Sequence, residues 1–181
     1  GVVVKGKTGF ELSEVLIPIA YGLIAIVVSM LICWSGQYPA GSETMLHIYR
    51  GNVVYEAVQN GNLFPLYDAA WYSGSEVLPY SAPLPVYLIA LCQGIAGGDC
   101  LDGYLLFAGI LFFMGALIWW RIGVRRKRPY LGAFLGLLWF FMPHNLYVFF
   151  MEGDLPRAVT MLFLPWLISS VYEYVKEGKW T

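Results

Sequence analysis

Two short stretches of the chain bring together side chains that can do chemistry. In the first, Glu43, His47, Arg50 and Val54 recur at spacings of four, three and four. On a helix that rhythm lines a carboxylate, an imidazole and a guanidinium along one stripe. A carboxylate one turn from a histidine can act as a general base or share a metal ion. The same residues also have a plainer reading, in which Glu43 complements the dipole at a helix start and His47 sits at lipid headgroup level. In the second stretch, Met151-Glu152-Gly153-Asp154-Leu155-Pro156-Arg157, two carboxylates and an arginine interrupt a long uncharged run. Charges beside a bilayer are costly unless solvated or paired, so they mark function when they face a cavity and an ordinary turn when they do not.

The elements that must position these groups are set by composition. The chain of 181 residues is 59% apolar and 17% aromatic, with 13% charged residues, whereas soluble domains carry roughly a quarter. So little charge cannot cover a soluble surface. Apolar runs at 15–34, 101–120, 129–151 and 157–172 approach the ~20 residues a helix needs to cross ~30 Å of hydrocarbon. The expectation is an all-α integral membrane protein with about four transmembrane helices and juxtamembrane helices in a long first outer loop. Pro143 and Asn145 are expected to kink the third span near its outer end.

A fifth apolar run, 83–96, decides the topology. Lys and Arg in short loops mark the cytoplasmic side, and Arg121, Arg125, Arg126, Lys127 and Arg128 form the densest group. Lys5 and Lys7 at the N-terminus, with Lys176 and Lys179 at the C-terminus, point to the same side. If 83–96 crossed the membrane, the arginine group would fall outside. Read instead as a short interfacial or re-entrant helix about 21 Å long, it leaves four crossings and a cytoplasmic N-terminus.

Loop 35–100 and the turn 152–156 then share the outer face. Glu43, Glu56, Asp68, Glu76, Asp99, Asp102, Glu152 and Asp154 lie there, eight of the twelve acidic residues, against two of the eleven basic ones, Arg50 and Arg157.

Within that loop the segment after Trp34 is turn-rich and offers Ser42 as N-cap of an amphipathic helix over 43–60 that Gly61-Asn62 ends. Its other stripe, Leu46, Val53 and Ala57, suits a membrane surface. His144 either faces the same cavity or is buried against a neighbouring helix. Asp68, Trp71, Tyr72 and Tyr80 fall in the loop's second half, where aromatics anchor at interfaces or stack on sugars. Cys92 and Cys100 either pair or remain free thiols. The arginine cluster is a topology determinant, with anionic headgroup binding as the alternative. A net charge of −1 without a long basic tract argues against a nucleic-acid partner.

The order of parts resembles the membrane-embedded GT-C glycosyltransferases, most of all the bacterial 6-pyruvoyl-tetrahydropterin synthase-related membrane proteins. The likeness rests on Gly41-Ser42-Glu43-Thr44-Met45-Leu46-His47-Ile48-Tyr49-Arg50, the Gly61-Asn62 helix stop, the Tyr-x-x-Pro-Leu-Pro-x-Tyr segment from Tyr80 to Tyr87, and the acidic turn with a Leu-Pro-containing span from Glu152 to Pro165. It departs in having Glu where Asp is commoner at position 43.

The resemblance implies sugar transfer from a polyprenyl-phosphate donor at the outer face of a bacterial plasma membrane. Glu43 would be the catalytic base, with Glu152 or Asp154 at the second acidic site and His47, Arg50, Arg157 and Asp68 toward substrate. It leaves a divalent cation at Glu43, His47 and Asp154 as an open option. It also implies that residues 1–181 are the N-terminal part of a larger protein. Partners would be the lipid-linked donor and membrane lipids. A non-catalytic membrane scaffold of the same fold and a lipid or sugar transporter are the rival readings.

Overall fold

The computed structural model describes residues 12–36, 41–68, 74–78 and 82–178. Lys5, Lys7, Trp71, Tyr72, Tyr80 and Lys179 lie outside the described residues. Among these described residues seven α-helices follow in order: α1 (Leu12–Ser35), α2 (Thr44–Gln59), α3 (Pro83–Ile95), α4 (Cys100–Arg125), α5 (Pro129–Phe141), α6 (Pro143–Leu146) and α7 (Leu155–Glu177). A π-helical segment, Tyr147–Glu152, joins α6 to the turn before α7. Among the described residues four helical stretches are long and apolar enough to cross a membrane: Ser13–Ser35, Cys100–Arg125, Pro129–Glu152 and Leu155–Lys176. The chain is an all-α integral membrane protein, apart from a two-residue antiparallel pair, β1 (Tyr67–Asp68) and β2 (Ser75–Glu76), which nothing in the hydrophobic pattern foretold.

Helix α4 is the axis of the bundle. Asp99 starts it, its Oδ1 accepting the N–H groups of Leu101 and Asp102 at 2.9 Å each, which satisfies two of the donors a helix start leaves unpaired. The helix runs past the expected 101–120 and carries Arg121 and Arg125 as part of its last turns. Twenty-six residues span about 39 Å, more than the hydrocarbon thickness, so the arginines reach headgroup level. At that end α5 returns against α4 through two glycines. A Cβ on Gly132 would lie 2.7 Å from the Gly123 Cα, so the two backbones touch as small residues allow in membrane helices.

Helix α3 covers Pro83–Ile95 and α2 covers Thr44–Gln59, both close to expectation. Helix α2 buries the stripe that carries His47. Thr44, His47, Ile48, Gly51 and Val54 are buried, while Leu46, Val53 and Ala57 are only half-buried. The stripe bearing His47 therefore turns into the protein. Gly51 is the reason, since a Cβ there would meet Ile89 Cγ2 at 2.6 Å, and only glycine lets α2 and α3 approach so closely. Gln93, 1% exposed, fastens the pair by donating through Nε2 to Asn52 Oδ1 at 2.7 Å and to the Gly98 carbonyl at 2.9 Å. Ile48, Ile89, Tyr104, Phe149 and Leu155 then form one core that joins α2, α3, α4, the π segment and α7.

The third span breaks where Pro143 predicted. Met142 is extended (φ −62°, ψ 120°), as the residue before proline prefers. Proline has no N–H to give the carbonyl four residues back, which is that of Trp139. Asn145 replaces it, donating from Nδ2 to the Trp139 carbonyl at 3.2 Å. The same asparagine is buried, while His144 is exposed, so the histidine does not occupy the buried position considered for it. Cys92 and Cys100 are free thiols, the first buried.

Candidate functional site

The two acidic stretches meet through their backbones. Glu43, not Ser42, is the residue at the N-cap position of α2, and it makes no side-chain cap. Ser42 is instead turned to the π segment. Its N–H donates to the Met151 carbonyl at 3.2 Å, its Oγ donates to the Glu152 carbonyl at 2.8 Å, and the Glu43 N–H donates to that same carbonyl at 3.0 Å. A helix start lacks acceptors for its first N–H groups and a helix end lacks donors for its last carbonyls. Here each end supplies what the other lacks, and α2 is seated on the end of the third span.

Two glycines make the approach sterically allowed. A Cβ on Gly41 would lie 2.7 Å from the Gly153 nitrogen, and one on Gly153 would lie 2.7 Å from the Thr44 nitrogen. Gly153 also holds φ at +73°, in the left-handed region that other residues enter only at a cost. This turn delivers Asp154 to the N-cap of α7, where its Oδ1 accepts the Arg157 N–H at 3.1 Å. Sequence reading passed over Gly41, Thr44 and Gly153. A glycine beside each acidic motif was the available signal.

The side chains follow from that seat. His47 is 2% exposed. Its Nε2 lies 3.6 Å from Glu43 Oε2, close enough for an ion pair but long for a hydrogen bond. Its Nδ1 has no hydrogen-bond partner among the described residues. Burial holds its pKa below the ordinary 6.5, against the opposing pull of Glu43 and, more weakly, Asp154, and with Arg50 adding to the lowering. The imidazole is thus neutral at neutral pH and lies within the fields of both acidic motifs. Glu43 has a side chain 58% exposed, so its carboxylate stands at the open edge of the seat.

Glu152 Oε2 pairs with Arg157 Nη1 at 2.9 Å, both partly exposed. Asp68 lies apart on β1 and accepts a hydrogen bond from the Tyr49 hydroxyl, which ties the β pair to α2. The seat therefore unites Glu43, His47, Glu152, Asp154 and Arg157, with Arg50 close enough to act electrostatically on His47. Among the described residues no three His, Cys, Asp or Glu side chains are grouped to hold a metal ion, so Glu43, His47 and Asp154 are near one another without forming a ligand set.

The histidine gives the site a pH signature. A folded-state pKa below the unfolded value means the unfolded chain takes up a proton first, so the stability contributed by neutral His47 is present above pH 6.5 and is lost as pH falls through the lower folded value. Thermal midpoints of the detergent-solubilised protein from about pH 8 to about pH 5 should fall more steeply in wild type than in His47→Gln. Identical slopes would place His47 in a solvated setting.

A family described as the 6-pyruvoyl-tetrahydropterin synthase related domain, a membrane protein, matches residues 78–181 of the chain. Glu152, Asp154 and Arg157 fall inside the matched segment, and α2 with Glu43 and His47 precedes it. No curated protein and no solved structure matches the chain.

Proposed function

Because the chain belongs to the 6-pyruvoyl-tetrahydropterin synthase related family of membrane proteins, we propose that its acidic seat is the active site of a GT-C-like glycosyltransferase using a polyprenyl-phosphate sugar. The observation that supports this reading is the backbone pairing of Ser42 and Glu43 with Met151 and Glu152, which brings two acidic motifs from distant parts of the chain to one end of the bundle. A long prenyl donor stays in the bilayer, so the acid–base groups must come to headgroup level. The two ends of α4 meet that need: from Tyr104, packed on Phe149 beside the seat, to Arg125 the helix rises about 31 Å, one hydrocarbon thickness. With the arginine end cytoplasmic, the seat lies at the outer face.

In the proposed reaction Glu43 takes the proton of an acceptor hydroxyl as that oxygen attacks the anomeric carbon. The bond from that carbon to the phosphate oxygen breaks, the configuration inverts, and the polyprenyl phosphate departs with the bonding pair. Arg157, held by Glu152 at 2.9 Å, or Arg50 offsets the charge on the leaving phosphate. Asp154 orients the acceptor. Glu43, whose side chain is 58% exposed, returns its proton to solvent for the next cycle.

The test is reconstitution of the full protein in proteoliposomes with radiolabelled polyprenyl-phosphate sugars and an extract of envelope lipids as acceptors. Transfer with inverted anomeric configuration is expected. Absence of transfer from every donor offered, with the protein folded, would reject the enzyme reading in favour of a scaffold.

A further inference from the structure

The end of the bundle remote from the acidic seat holds a groove of about 660 Å³ between α1, α4 and α7, lined by Pro18, Met114, Ile118, Arg121, Arg125 and Trp166. Its two ends differ in chemistry. Arg121 and Arg125 stand one helical turn apart on α4, so both guanidinium groups lie on one side of its mouth. From there Ile118 and Met114 continue down the same helix, and Met114 to Arg125 covers about 16 Å along the axis, the reach of much of an acyl chain. Charge sits at one end and hydrocarbon at the other, the polarity of a single lipid molecule standing upright in a leaflet.

The charge balance at the mouth is positive. Arg125 donates from Nη2 to Glu173 Oε2 at 2.9 Å, and Arg126 shares that carboxylate from 3.7 Å while its guanidinium lies 4.6 Å from the Tyr172 ring centre. Glu173 therefore fixes Arg125 at the groove but is divided between two cations. Arg121 is exposed, its guanidinium 6.0 Å from the Trp120 ring centre. It is paired with no carboxylate among the described residues. An arginine left with open N–H donors beside a second, fixed arginine is suited to a phosphate, which can accept from both in forked geometry. Trp166, 45% exposed, lies seven residues, about 10 Å, along α7 from Glu173 and adds apolar wall beside Ile118 where the chain would run.

We propose that this groove is a binding site for one anionic phospholipid, its phosphate between Arg121 and Arg125 and an acyl chain along Ile118 and Met114. The site is separate from the acidic seat and does not depend on the chemistry proposed there.

Native mass spectrometry of the full protein, delipidated in detergent and offered phosphatidylglycerol or phosphatidylcholine, tests it. Wild type should retain phosphatidylglycerol about fivefold over phosphatidylcholine, the order expected for one cation at a membrane surface. Arg121→Gln should remove that preference, whereas Arg128→Gln, the same charge change on an exposed residue outside the groove, should leave it within about twofold. Ile118→Trp, which keeps every charge but fills the wall, should also lose the bound lipid, and it serves if Arg121→Gln fails to fold. Equal retention of the two lipids, equal effects of Arg121→Gln and Arg128→Gln, or full retention by Ile118→Trp would overturn the proposal. Displacement of phosphatidylglycerol by soluble glycerol phosphate would overturn it too, by showing a free phosphate site in place of a lipid one.

Discussion

Glu43→Gln is expected to lower the sugar-transfer rate by about two to three orders of magnitude while leaving the fold intact. The size follows from general base catalysis, which contributes about 10²–10⁴-fold. The intact fold follows from the position of the side chain, which caps no backbone group and is 58% exposed. Gln keeps the shape and forfeits a dipole interaction worth about 0.3–1 kcal/mol and the carboxylate's contact with His47 Nε2 at 3.6 Å. Initial rates in proteoliposomes, with a thermal midpoint on the same preparation, separate the two effects. A rate within about twofold of wild type would reduce Glu43 to a companion of the helix dipole.

The second large effect is on architecture. Gly153→Ala should destabilise the protein by about 2–5 kcal/mol, the sum of left-handed backbone strain of about 1–2 kcal/mol and overpacking of about 1–3 kcal/mol. Its φ of +73° sets the first contribution, and the Thr44 nitrogen 2.7 Å from the added Cβ sets the second. Backbone cannot swing aside as a side-chain tip can. The variant should therefore also unseat α2, seen as faster amide exchange at Ser42 and Glu43, whose N–H groups bond Met151 and Glu152. Unchanged melting together with unchanged exchange would mean that the turn and α2 are not joined as described.

Much of this architecture was legible in the sequence because the membrane imposes it. Long uncharged runs must become helices wherever no water satisfies the backbone, and the four spans appear close to where the runs fall. Pro143 announced the break through its missing N–H, though Asn145 as the replacement donor to Trp139 needed three dimensions to be seen. Which stripe of α2 turns inward stays open in the sequence for a related reason. Glu43, His47 and Arg50 read either as a chemical stripe or as a helix-start acid with a headgroup-level histidine, and Gly51, by admitting Ile89, draws His47 inward. Tertiary packing there decides what local pattern leaves open.

The site divides the same way. Glu43, Glu152 and Asp154 were visible as charges out of place, and their shared side of the membrane followed from the arginine loop. Their junction was not visible, because two of its three hydrogen bonds are made by main-chain N–H groups of Ser42 and Glu43 that any sequence possesses. Ser42 looked like a helix cap and is a link to the Glu152 carbonyl. Only the bare glycines at 41 and 153 hinted that two backbones come together.

If both acidic motifs serve one site, a double-mutant cycle on sugar transfer with Glu43→Gln and Asp154→Asn will show them coupled. Groups acting as one unit lose activity non-additively, so the double variant should be no more than about threefold slower than the slower single variant. Losses that multiply, or a double variant that transfers sugar at the wild-type rate, would contradict it.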